Sequence, residues 1–169
     1  MDNFFEKLSS YNILNNMLPG SIFCFLLEHV VDFTILRSNL IENLFIFYFG
    51  GMIISRIGSL IVEPIAQKTN FVIYSDYPDF VRASKSDPQI EILSETNNTY
   101  RTFVSLAFTL AISKLYLYFY NLHEVLQNIT PWVVLLILLC IFLASYKKQT
   151  KYVLKRVKKV NEMIDGGEL

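Results

Sequence analysis

From Ile129 to Tyr146 the chain runs 18 residues without a charge, close to the 20 or so mostly apolar residues with which an α-helix crosses the hydrocarbon of a bilayer. Three further stretches have that length with a few ionisable residues embedded. They are Met17 to Leu36 (Glu28, His29, Asp32), Leu40 to Val62 (Glu42, Arg56) and Phe103 to Leu122 (Lys114). Blocks of this kind restrict the fold severely, because in lipid every backbone N–H and C=O must be bonded within the protein, which leaves helices and closed barrels. Nothing alternates with period two over the ten or so residues a barrel strand needs. The expectation is an all-α integral membrane protein with four transmembrane helices.

The connectors Arg37 to Asn39 and His123 to Asn128 are short, so the spans pair into two hairpins. This divides the chain into an N-terminal segment (1–16), hairpin 1 (17–62), a polar middle region (63–102), hairpin 2 (103–146) and a basic tail (147–169). Phe4, Phe5, Leu8, Tyr11 and Leu14 recur at helical spacing in the first segment. They predict either a helix lying in the membrane interface or an extension of span 1.

Composition agrees with the blocks. Apolar residues make up 53% and charged residues only 18%, against about 25% charged in soluble domains. Fifteen Lys and Arg balance fifteen Asp and Glu, which argues against a generally basic, directly nucleic-acid-binding surface, but the cations are unevenly placed. Lys7 precedes span 1, Lys68, Arg82, Lys85 and Arg101 lie between spans 2 and 3, and seven follow span 4 from Lys147 to Lys159. The opposite side carries Arg37 alone. Positive charge concentrates on the cytoplasmic side of membrane proteins, so both termini and the middle region are expected in the cytoplasm.

Two helices are expected to continue past the membrane. Asp87-Pro88 is a helix-start signal, and Ile90, Leu93, Asn97, Tyr100, Val104 and Ala107 then follow at spacings of three and four with no Pro or Gly before Leu122. A single helix is predicted from Pro88 through span 3. In the tail, Tyr146, Thr150, Val153, Val157, Val160 and Ile164 are separated by alternating steps of four and three, a heptad seam running out of span 4. The seam packs either on the span 3 extension or on a neighbouring subunit. The competing expectation is a basic helix lying along anionic lipid.

Ionisable residues within a span suggest function and need a partner. Glu28 and Asp32, four apart on span 1, match Lys114 of span 3 in depth, so Lys114 can pair with either. Such a pair either fixes helix order or contributes to a polar path. Arg56 has a stem long enough to reach the headgroups. Gly51, Ser55 and Ser59 form a stripe of small residues, where helix backbones can approach closely in lipid. Cys24 and Cys140 lie in apolar blocks and read as small packing residues. With two histidines, no His-Glu-x-x-His, no Gly-x-Ser-x-Gly and no Walker-type loop, no enzyme, metal site or cofactor is expected.

The Tyr11-Asn-Ile-Leu-Asn-Asn-Met-Leu-Pro-Gly20 entry, the polar middle ending in Asn97-Asn-Thr-Tyr-Arg-Thr102 and the basic tail together resemble the small four-pass membrane subunits of the bacterial Kiwa antiphage defence system. The resemblance spans the chain and rests on layout, with no motif through which site residues transfer. It implies a homo-oligomer, a tetramer by analogy, acting as an inner-membrane sensor that holds a cytoplasmic DNA-binding effector at the membrane. The alternative from the residues alone is a pore or depolarising effector lined by Glu28, Asp32 and Lys114.

Overall fold

A computed structural model describes residues 13–166, and all regular structure among them is helical. A π-helical turn at Ile13–Met17 leads into α1 (Leu18–Val31). Helix α2 (Leu40–Ile57) passes through a second π-helical segment, Gly58–Val62, into α3 (Glu63–Lys68). Then come α4 (Tyr77–Ser86), α5 (Gln89–Leu122) and α6 (Glu124–Asp165). The N-terminal segment expected to lie in the interface falls outside the described residues up to residue 12. The π-helical turn Ile13–Met17, which holds its last four residues, runs directly into α1.

Three helical runs are long and apolar enough to cross a membrane: Leu40–Lys68, Gln89–Leu122 and Glu124–Ile164, of 29, 34 and 41 residues. At about 1.5 Å per residue they measure roughly 44, 51 and 62 Å, against a hydrocarbon layer of about 30 Å. The surplus on α5 and α6 lies at the same end, where Asp87 opens α5 by accepting from the Gln89 N–H at 2.9 Å. Asp76 occupies the matching position before α4, but its side chain makes no capping bond.

The first apolar stretch departs from expectation. Its helix ends at Val31 rather than Leu36, because Asp32 adopts the left-handed conformation (φ 62°) and returns its N–H to the Leu27 carbonyl. Asp tolerates this region better than most residues. Lys114 also stabilises the early stop, donating to Asp32 Oδ2 at 2.9 Å and to the Val30 carbonyl at 2.7 Å, one of the acceptors a helix end leaves open. The turn back to α2 is closed by asparagines. Asn43 bonds both the N–H and the C=O of Arg37, at 2.8 and 2.9 Å, and Asn39 caps α2 through the Ile41 N–H.

Leu27, Val31, Ile54, Leu106 and Leu110 form the buried core where α1, α2 and α5 meet. The closest approach is between α1 and α2. A Cβ on Gly20 would lie 1.7 Å from the Phe47 carbonyl oxygen, and one on Gly51 would lie 1.7 Å from that of Asn16. Only glycine admits such contact. Helix α6 packs more loosely, with no residue buried in its most apolar window. Between α1, α5 and α6, on the side of the early stop, lies an apolar cavity of about 420 Å³ lined by Phe33, Leu117 and Val134 among others.

Candidate functional site

The densest polar cluster among the described residues lies where α2, α5 and α6 leave their apolar stretches, and it begins with a backbone fault. In the π-helical segment the Glu63 N–H bonds the Gly58 carbonyl, five residues back. The same register would direct the Ser59 carbonyl to residue 64, but Pro64 has no N–H to give. Lys148 of α6 supplies the missing donor. Its Nζ lies 2.7 Å from the Ser59 carbonyl oxygen, 2.8 Å from Ser59 Oγ and 3.1 Å from Glu63 Oε1. An ammonium has three donors, and all three are used.

Glu63 offers its other oxygen, Oε2, to Arg101 Nη1 of α5. The three side chains are largely withdrawn from solvent, at 11% exposure for Glu63, 17% for Arg101 and 26% for Lys148. One level further in, Ser105 of α5 donates to the Ile54 carbonyl of α2 at 2.8 Å. Gly58 faces Ser105 and Arg101 closely enough that a Cβ would sit 3.3 Å from Ser105 Cβ. The cluster thus joins three helices through one carboxylate facing two cations. Arg101 Nε is buried with no acceptor among the described residues.

Aromatic residues extend the cluster outward. Lys148 Nζ sits 5.8 Å from the centroid of the Tyr152 ring, which lies 6.5 Å from that of Tyr77. Burial and the Glu63 carboxylate push the Tyr152 phenol above its ordinary pKa, with Arg101 pulling the other way. Further along, Lys85 Nζ lies 3.3 Å from Met163 Sδ, and both Met163 and Val81 are buried. Helix α4 therefore touches the tail at Tyr152 and again at Met163. Asn97 of α5 donates to the Tyr74 hydroxyl at 3.1 Å.

Residues singled out from the sequence fall in several places. Lys114 pairs with Asp32 and not with Glu28, which holds no ion pair among the described residues. Both partners are open, at 52% and 79% exposure, on the outer side of the packed helices. Gly51 makes the tight contact expected of the small stripe and makes it within the chain, against Asn16 in the π-helical turn before α1. Ser59 serves as a ligand for Lys148 and Ser55 is half-buried. The seam does not pack on the α5 extension. Val153, Val157 and Ile164 are more than half exposed and Val160 is half-buried, while the neighbouring face of the tail, through Tyr152 and Met163, is the one that meets α4.

Glu63, Arg101 and Lys148 were not expected as a group. Their signal was depth: each lies just past the same end of an apolar stretch, and Pro64 marks a helix with a carbonyl to spare. No family model, curated protein or solved structure matches the chain. Fold and site together define a chain whose regular structure is helical throughout the described residues, with three helices long and apolar enough to cross a membrane, tied at one end by half-buried ion pairs.

Proposed function

We propose that the protein is a four-pass membrane scaffold or sensor of the bacterial inner membrane, with both termini and the middle region in the cytoplasm, and that it has no enzymatic activity. Helix α1, with 14 residues about 21 Å long, is the first span. With the five-residue π-helical turn before it, the helical run extends over Ile13–Val31, about 28 Å at the helical rise and close to the hydrocarbon thickness of about 30 Å. Matching contacts support this. Asn15 approaches Thr99 at 3.3 Å, Lys114 meets Val30 and Asp32, and these positions lie 15 residues or about 22 Å apart along α5.

The observation that carries the reading is the ionic cluster at the point where α5 and α6 leave the apolar zone unbroken. A change in helix packing within the bilayer alters the register of Glu63, Arg101 and Lys148, and rigid helices pass it outward. Exposed apolar residues along the tail seam, which would face water, support docking of a soluble effector or of further copies of the chain there. On the resemblance to the Kiwa membrane subunits, the assembly is a homo-oligomer, a tetramer by analogy, and the partner a cytoplasmic effector of antiviral defence. The pore alternative has less support, since Asp32 and Lys114 satisfy each other.

Inserting Gly-Gly after Lys148 tests the relay. Membrane insertion and the elution profile in detergent stay unchanged, while co-purification of a co-expressed cytoplasmic effector is lost. Undiminished co-purification would contradict the relay.

A further inference from the structure

A second polar site lies apart from the ionic cluster. Lys155, Lys158 and Lys159 of α6 form one wall of a cavity of about 410 Å³, with Glu162 beside them and Asp76 and Tyr77 opposite. That volume falls within the range of small-molecule sites, about 300–1,000 Å³. Lysines at spacings of three and four share one helix face and repel one another. Lys159 is offset by Glu162, 3.8 Å away. Lys155 and Lys158 have no hydrogen-bond or ion-pair partner among the described residues. Asp76 across the cavity is also unused, making no capping bond to α4.

We infer that this cavity binds a phosphorylated small molecule of nucleotide size. Two free ammonium groups on one wall match a phosphate dianion, whose bonds to cations are charge-assisted and short. The carboxylate of Asp76 accepts from sugar hydroxyls, and the ring of Tyr77 offers a flat face to a base. The same phosphate chemistry occurs in lipid headgroups, and height separates the two sources. Lys155 and Lys158 stand about 10 and 15 Å beyond Lys148 along α6 at the helical rise. The headgroup layer is only about 5–7 Å thick on each side. The choice of a soluble ligand over a lipid rests on the membrane placement proposed above; the site itself does not.

Calorimetry on the full chain in uncharged detergent, with AMP and inorganic pyrophosphate as probes, tests the site without membrane or partner. The wild type binds at least one probe saturably. K155Q/K158Q weakens that binding about tenfold or more, the loss expected for removed charge-assisted contacts. K147Q/K151Q, which removes the same charge elsewhere on the tail, changes it less than about threefold. Absence of saturable binding up to about 10 mM, or equal loss in the two double variants, overturns the proposal. So does wild-type binding confined to vesicles containing phosphatidylglycerol. Failure of the scaffold reading, by contrast, appears in the Gly-Gly insertion experiment and leaves these titrations untouched.

Discussion

Replacing Lys148 with Met keeps the aliphatic stem and removes the ammonium that satisfies Ser59 and Glu63. The Ser59 carbonyl then has no donor, since Pro64 cannot supply one, and Glu63 keeps Arg101 alone. A hydrogen bond to a charged group contributes about 1.5–3 kcal/mol, and stranding a buried carbonyl costs about 1–3 kcal/mol. Lys148 is 26% exposed, so part of the electrostatic contribution is screened. A destabilisation of about 2–4 kcal/mol follows. SDS-titrated unfolding in mixed micelles measures it, with the fluorescence of Trp132, the single tryptophan, reporting on α6. Combining Lys148→Met with Glu63→Gln should reveal a coupling of about 1–2 kcal/mol, as for residues in one network. Lys148→Arg should recover only part of the loss, because a planar guanidinium does not aim three N–H groups at oxygens clustered about one point. A Lys148→Met variant within about 0.5 kcal/mol of wild type, the range of ordinary surface substitutions, would refute the reasoning.

Other perturbations have outcomes of their own. Gly51→Ala drives a Cβ into the Asn16 carbonyl and should cost about 3 kcal/mol or more, as overpacking does at its upper end. Gly50→Ala, with nothing within 4 Å, should stabilise by up to about 1 kcal/mol through helix propensity. The same SDS titration distinguishes them. Purified protein in liposomes should carry no ion flux; a flux lost in Glu28→Gln and Asp32→Asn would favour the pore. Because burial and Glu63 raise the Tyr152 pKa, the difference in tyrosinate absorbance between wild type and Tyr152→Phe should rise only above the ordinary midpoint near pH 10. Ionisation at or below that midpoint would mean that the phenol is not held against the carboxylate.

Much of the helical layout was legible because apolar length and punctuation carry it. The last three apolar stretches fall on helices of sufficient length, and the helix expected from Pro88 through span 3 is α5, Gln89–Leu122. Hydropathy counts residues without seeing backbone conformation, so the left-handed turn at Asp32 and the early end of α1 were not legible. The ionic cluster was missed for a related reason. Glu63, Arg101 and Lys148 look like loop and tail charges until the helices are set at a common depth, and the spare Ser59 carbonyl exists only because π-helical register meets Pro64. The heptad seam illustrates the opposite limit. Its periodicity is real, but Val153 and Val157 remain open, and spacing alone does not name the partner of a helix face.

Labelling of single cysteines in intact cells with a membrane-impermeant maleimide tests the four-pass arrangement most directly, in a background with Cys24 and Cys140 replaced by serine. Ser38→Cys, in the turn between α1 and α2, should label. Asn3→Cys, Ser86→Cys and Lys151→Cys should react only after the cells are opened. Labelling of Asn3→Cys from outside would mean that the first apolar stretch does not cross. Labelling of Ser86→Cys and Lys151→Cys from opposite sides would contradict the account.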